Sequence, residues 1–286
     1  MPLTPIRIKQ LARSGRNLIN PKKYIWELYK IVYKDQPFII KMRNGLKIRV
    51  YSNDIIGEQI YTNGVFEPRE VAFVTKFLKP GMVFFDIGAN LGQYTLLGAV
   101  SVGKKGCVHS FEPSVRMFSE LEYNVKLNSL SKTCVLNRLA VADTNSIRQL
   151  STYEAGAEVY GSLGNQHWSG KKIIGYEDVE TIKIDDYFQK NGIPRVDLIK
   201  MDIEGAELLA LKGCEQLLSQ PNGPTIILEV ADINTVGFGY SPYEIWDYLG
   251  QFGYTLNILN KTGSMAGVVD KSYDFSQGVN LVGVKN

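Results

Sequence analysis

Histidine and cysteine are the scarce reagents of this sequence: two histidines and three cysteines in 286 residues. Cys107, Cys134 and Cys214 are odd in number, far apart and set among apolar neighbours, which argues against a disulfide framework or a zinc site and reads as buried thiols in a reducing compartment. A long apolar run is missing too. The nearest approach, residues 82–103, is interrupted by Asp86, Asn90 and Gln93, so no membrane span is expected. No uninterrupted apolar stretch precedes a small-residue cleavage site near the start, and the expected location is cytoplasmic. The bulk of the chain also lacks excess positive charge. Residues 1–34 hold eight basic side chains against Glu27 alone, a net of +7, while the other 252 residues hold 24 basic and 28 acidic ones. A basic arm on an acidic body excludes a general nucleic-acid binder, whose footprint spreads over the folded domain.

What is present is an ordinary globular make-up, 44% hydrophobic, 11% aromatic and 21% charged, enough to bury a sizeable core. One core domain with additions is expected: a basic arm and hairpin over residues 1–53, and a main domain over 54–286 with an insertion at 144–184. Phe38–Arg43 and Leu46–Tyr51 flank Asn44-Gly45, which predicts a hairpin with a type I′ turn. Residues 68–78 carry a helical apolar stripe that stops at Lys79-Pro80-Gly81. From residue 82 the pattern is strand, glycine turn, helix, repeated: strands at 82–86, 107–112, 133–137, 196–202 and 225–230, and helices at 91–102, 114–128, 205–218 and 242–250. Such alternation predicts a parallel sheet covered on both faces, with ligands at the carboxyl ends of its strands. Residues 254–259 and 278–284 read as two terminal strands.

Asp86-Ile87-Gly88-Ala89-Asn90-Leu91-Gly92 stands at a strand end and opens a helix, where glycine lets backbone approach a ligand and helical amides are unpaired. Glu112 follows at the next strand end, twenty residues beyond Gly92, the place for a carboxylate that accepts from ribose hydroxyls. A dinucleotide fold needs a middle glycine where Asn90 stands, and an anion such as Asp86 would repel its phosphates. S-adenosylmethionine carries an ammonium and a sulfonium and no phosphate, so an acidic strand end suits it. A nicotinamide-dependent oxidoreductase and a nonenzymatic scaffold with a degenerate cofactor pocket are the alternatives.

Val83–Thr95, His109–Pro113, Val196–Glu207 with its Asp-x-Glu-Gly-Ala-Glu element, and Ile227–Val230 together resemble the FkbM-type S-adenosylmethionine-dependent methyltransferases, in the same order over about residues 54–232. The resemblance implies a class I methyltransferase (Rossmann-like) α/β fold: a seven-stranded, mostly parallel sheet ending in an antiparallel hairpin. It also implies methyl transfer to a hydroxyl, of a saccharide, a glycoconjugate or a related natural product. By the same resemblance Asp86, Gly88, Asn90 and Gly92 line the methionine end of the cofactor, Glu112 holds the ribose, and Ala140 and Val141 border adenine, with Asp143 a weaker candidate. A serine-bearing segment is expected near Gly161-Ser162-Leu163-Gly164-Asn165.

Asp202 ends the fourth core strand, so its carboxylate is expected to point toward the transferring methyl as a catalytic group. His167, beside Trp168 in the insertion, is the second catalytic candidate, while His109 reads as a core side chain. Glu207 reads as a helix-start residue. Glu204 and Glu229 stand near Asp202 at neighbouring strand ends, where a divalent metal is the less favoured reading. Lys200, inside a strand of apolar residues, receives no role. The arm intersperses Ile6, Ile8, Leu11, Leu18, Ile25, Leu28, Ile31 and Val32 with its excess charge, a pattern suited to peripheral contact with an anionic membrane or acidic glycan.

Overall fold

The end of the basic arm forms helix α1, Pro21–Tyr33. In the computed structural model, which describes residues 20–34, 36–164, 171–276 and 278–286, Asn20 caps this helix by accepting from the Lys22 amide at 3.1 Å. Its inner face is aromatic. Trp26 is fully buried, with its ring 5.5 Å from those of Phe38 and Tyr61, which belong to strand β1 (Phe38–Lys41) and helix α2 (Ile55–Asn63).

Strand β1 pairs antiparallel with β2 (Lys47–Val50), but the turn is not type I′. That turn needs positive φ at both central residues, and here only Gly45 has it, at 87°. The Gly45 amide instead donates to the Met42 carbonyl and the Met42 amide to Leu46, closing a three-residue loop. Helix α3 (Pro68–Phe77) then leads into the core.

The main domain is laid down as β3 (Val83–Ile87), α4 (Gln93–Val102), β4 (Cys107–Phe111), α5 (Val115–Leu127) and β5 (Cys134–Asn137). The excursion β6 (Ala140–Val141), β7 (Ile147–Tyr153) and β8 (Ile173–Ile182) follows, and α6 (Ile184–Lys190) closes it. After it come β9 (Leu198–Met201), α7 (Glu207–Lys212), α8 (Glu215–Ser219), β10 (Thr225–Val230), α9 (Asp232–Val236) and α10 (Pro242–Gln251). Strands β11 (Tyr254–Leu259), β12 (Met265–Val268) and β13 (Val279–Lys285) end the chain. The main sheet runs β12-β11-β13-β10-β9-β3-β4-β5. Its five strands from β10 to β5 are parallel, and β13 inserts antiparallel between β10 and β11. The sheet therefore has eight strands where seven were expected. The extra one, β12, pairs on the outside of β11. Every residue of β3 and β9 is buried, as strands covered by helices on both faces require.

The chain builds β3, β4 and β5 in one direction and then returns to place β9 on the other side of β3. That reversal opens a crevice at the carboxyl ends of β3 and β9. The insertion is more regular than its glycines suggest. Strands β7 and β8 form an antiparallel hairpin from Ile147↔Glu180 to Tyr153↔Ile173, and β6 joins β8 in parallel, so the insertion carries its own sheet beside the crevice. The expected helix 205–218 is two helices. A Cβ on Gly213 would lie 2.2 Å from the Ala142 carbonyl oxygen, so the chain turns at this close packing. All three cysteines are free thiols, but only Cys214 is fully buried; Cys107 and Cys134, near the starts of adjacent strands, are half-buried. Among the described residues no helix is long and apolar enough to cross a membrane.

Candidate active site

Where β3 ends, the chain passes so close to β9 that only glycine fits. Gly88 has φ +81°, and a Cβ there would sit 1.9 Å from the Asp202 carbonyl oxygen. The Gly88 and Ala89 amides both donate to the Phe111 carbonyl, at 2.9 and 3.0 Å, which ties the glycine turn to the end of β4. Glu112 completes the tie: Oε2 accepts from the Asn90 amide at 2.9 Å and Oε1 from the Ser114 amide at 3.0 Å. Each carboxylate oxygen keeps a second lone pair for a ligand hydroxyl. Burial pushes the Glu112 carboxyl up to about 7, against the pull of those two amides.

Around this corner lies a cavity of about 610 Å³, part of it open to solvent. One wall is Gly88, Asn90, Phe111 and Glu112; a second is Leu139, Ala140 and Val141; the insertion supplies Leu150, Glu158, Gly161, Ser162 and Leu163; Asp202, Ile203 and Glu204 close it. Ser162 is buried and donates to the Glu204 carbonyl at 2.9 Å, so the insertion is pinned to the turn after β9. Arg116 of α5 pairs with Glu158. A smaller cavity, about 310 Å³, lies on the other side of the glycine turn between Ile56, Phe66, Gln93, Tyr94 and Lys200. Gly88, Asn90 and Asp202 belong to the walls of both.

Lys200 is the residue that sequence reasoning left without a part. Only 2% exposed, it places its ammonium 2.8 Å from Asp202 Oδ2 and 4.4 Å above the centre of the Tyr94 ring. Burial lowers its pKa, but Asp202, Glu67 and Asp86 push it the other way and the balance lies above the usual lysine range. Glu67, also unmarked by the sequence, caps this network: Oε2 accepts from Tyr94 at 2.8 Å and Oε1 from Asn280 at 2.8 Å. The link runs over more than 200 residues of chain, and no local pattern signals it.

Asp202, Glu204 and Glu229 bring one carboxylate oxygen each to within 4.8 Å of one another. Asn234 of α9 bridges two of them, donating to Glu229 at 2.9 Å and Glu204 at 3.4 Å. Burial and then the neighbouring Asp202 raise both glutamates, Glu229 to about 8. Among the described residues this trio is the group placed to share a cation. Glu207 accepts from the Ile203 amide at 3.1 Å and is raised by burial to about 7, in keeping with a helix-start role.

The crevice thus gathers Gly88, Asn90, Glu112, Ala140, Val141 and Asp202. Asp86 and Gly92, expected at the methionine end, are not among the described lining of either cavity. Asp86 is fully buried behind the turn, where its Oδ2 accepts from the Thr95 hydroxyl at 2.6 Å, and Thr95 contacts Ser110 at 2.7 Å. Burial raises Asp86 to about 6. Gly92 starts α4 with φ +92° and packs against Leu121. Asp143 pairs with Arg148 at 2.6 Å on the surface. His109 is buried and hydrogen-bonded to the Tyr187 hydroxyl at 2.8 Å. His167, Trp168 and Asn165 lie outside the described residues.

The Methyltransferase FkbM domain matches residues 86–256. Over 181 residues, 55% of its length, the chain is 26% identical to the 31-O-demethyl-FK506 methyltransferase FkbM of Streptomyces tacrolimicus and covers 68% of that protein. Among solved structures, a SAM-dependent O-methyltransferase from Thermotoga maritima is similar at 14% identity and TM-score 0.44, over 90% of this chain and 80% of that one. A SAM-dependent methyltransferase from Aquifex aeolicus is similar at 17% identity and TM-score 0.38, over 76% and 89%. The matched domain begins at the acid before the glycine turn, takes in every strand end of the crevice and reaches into β11, and on that match the chain belongs to the FkbM methyltransferase family.

Proposed function

We propose that this methyltransferase takes the methyl of S-adenosylmethionine to a hydroxyl of a saccharide, a glycoconjugate or a related natural product. The observation that carries the cofactor reading is the charge of the larger cavity. Its described lining includes Glu112, Glu158, Asp202 and Glu204 and neither lysine nor arginine. Arg116 and Lys200 are already taken by Glu158 and Asp202, so the wall offers a pyrophosphate no cation of its own, while its carboxylate acceptors suit an ammonium and a sulfonium. Glu112 offers free lone pairs to ribose hydroxyls, and Leu139, Ala140 and Val141 give an adenine ring an apolar border. When bound, the cofactor supplies an electrophilic methyl.

The chain's residues would then do the positioning. Asp202 lies where the two cavities meet, with Lys200 holding one carboxylate oxygen, so it accepts a hydrogen bond from an incoming hydroxyl in a fixed direction. Removal of the hydroxyl proton falls to Asp202 or to the carboxylates beside it, among which burial pushes Glu229 up to about 8.

Incubation with isotope-labelled S-adenosylmethionine and a panel of saccharides and glycoconjugates tests the reading. Label recovered as a methyl ether supports it; label on nitrogen or carbon, or tight nicotinamide binding with none of S-adenosylhomocysteine, rejects it. A chelator arm decides the trio's part: activity lost and restored by Mg²⁺ makes Asp202, Glu204 and Glu229 ligands.

A further inference from the structure

We infer that the outward face of α1 docks this protein on an anionic lipid surface. The inner face of the helix is already satisfied: Trp26, Tyr29 and Tyr33 pack against Phe38 and Tyr61. The opposite face is apolar as well. Tyr24, Ile25, Leu28, Ile31 and Val32 are all exposed, Leu28 and Ile31 by 53 and 54% and Val32 by 71%. At about 100° per residue these five fill one arc of roughly 120°. They are five of the 18 exposed large apolar side chains among the described residues, gathered on one 13-residue helix. Such side chains scattered singly need no explanation; a contiguous stripe does.

Charge selects the occupant. On the same wheel Lys23 and Lys30 fall together to one side of the stripe, with Glu27 between them and it and paired with Lys30 at 2.7 Å, and Lys34 follows just past the end of the helix. The sequence ahead of the helix, residues 1–19, adds Arg7, Lys9, Arg13 and Arg16 with no acid. An apolar stripe edged by cations is the form of a helix that lies in a bilayer interface, apolar side among the acyl chains and lysines at anionic headgroups. A second copy would bring another arm of net +7 against this one, and the repulsion disfavours it. α1 packs on α2, whose Ile56 lines the smaller cavity, so a docked helix holds that cavity close to the interface.

The test is sedimentation of the full-length protein with vesicles of phosphatidylcholine alone or mixed with phosphatidylglycerol. Binding to the mixed vesicles is expected to exceed binding to the neutral ones at least about tenfold. It should fall by a similar factor both in Leu28→Ser/Ile31→Ser/Val32→Ser and in Lys23→Gln/Lys30→Gln/Lys34→Gln. The variants should keep the wild-type melting temperature and cofactor affinity, since the stripe is outside the core. Equal binding to both vesicle types overturns the inference. So does a serine variant that binds like wild type, which would mark a polyanion rather than a bilayer. A wild-type dimer that the serine variant converts to monomer, or a serine variant with a markedly lower melting temperature, also overturns it, because the stripe would then be covered by protein.

Discussion

Glu112 does two jobs with one carboxylate: it holds the glycine turn to the end of β4 through the Asn90 and Ser114 amides, and it presents lone pairs to the larger cavity. Glu112→Ala is expected to weaken S-adenosylhomocysteine binding by about 2–3 kcal/mol, the scale of a lost charged hydrogen-bond pair, while the protein stays folded. Calorimetric titration checks this, and unchanged affinity rejects it. A pH dependence follows. With a pKa of about 7, the acceptor is lost as pH falls, so wild-type affinity should be lower at pH 6 than at pH 8, and Glu112→Ala should flatten the dependence. Lys200 makes a different prediction. Lys200→Met would leave Asp202, Glu67 and Asp86 facing one another without a cation, at a cost of about 3–5 kcal/mol in thermal or denaturant unfolding. Stability equal to wild type would show that the network is not held by its charge.

At the scale of elements, the glycine turn is the joint on which the site depends. Gly88→Ala must push β3 and β9 apart, since the added carbon meets a backbone oxygen rather than a flexible side chain. It should therefore abolish cofactor binding and lower the melting temperature; a variant that binds normally would refute the close approach. This joint was legible in the sequence because it is local: strand, glycine, acid and helix follow within a few residues. The bounds of β10 and β11 were legible for the same reason, as apolar strand-forming runs between turn residues. What escaped is what depends on distant chain. The split of the helix after β9 comes from Gly213 wedged against Ala142. Strand β12 is exposed along its whole length, so it shows no alternation to read. Asp86 stands at the expected strand end, but its rotation into the Thr95–Ser110 pair is decided by packing. Glu67, the residue ahead of α3, joins the Tyr94–Asn280 network, and Asn234 of α9 joins the Glu204–Glu229 pair, with no motif to mark either. Ser162 of the insertion lines the larger cavity, and only the family pattern, not its own neighbours, pointed there.

Across the whole molecule, the buried carboxyls make stability depend on pH in an unusual direction. Glu112 and Glu207 are raised to about 7 and Glu229 to about 8, all chiefly by burial. Each is protonated more readily folded than unfolded, so its contribution is complete at low pH and is lost as pH rises through 7 to 8. His109, lowered by burial to about 4, acts oppositely but only below about 6.5. The ligand-free protein should thus melt several degrees lower at pH 8.5 than at pH 6.5; a higher melting temperature at pH 8.5 would contradict this. The same charges that strain the free crevice make it ready for a cationic cofactor, with Asp202 at the meeting of its two cavities. The most direct test of that account is the turnover of Asp202→Asn on a hydroxyl acceptor, measured beside its S-adenosylhomocysteine affinity. The expected result is a folded variant whose turnover falls by at least roughly a hundredfold, well beyond any loss of cofactor affinity. Near-normal turnover would contradict it.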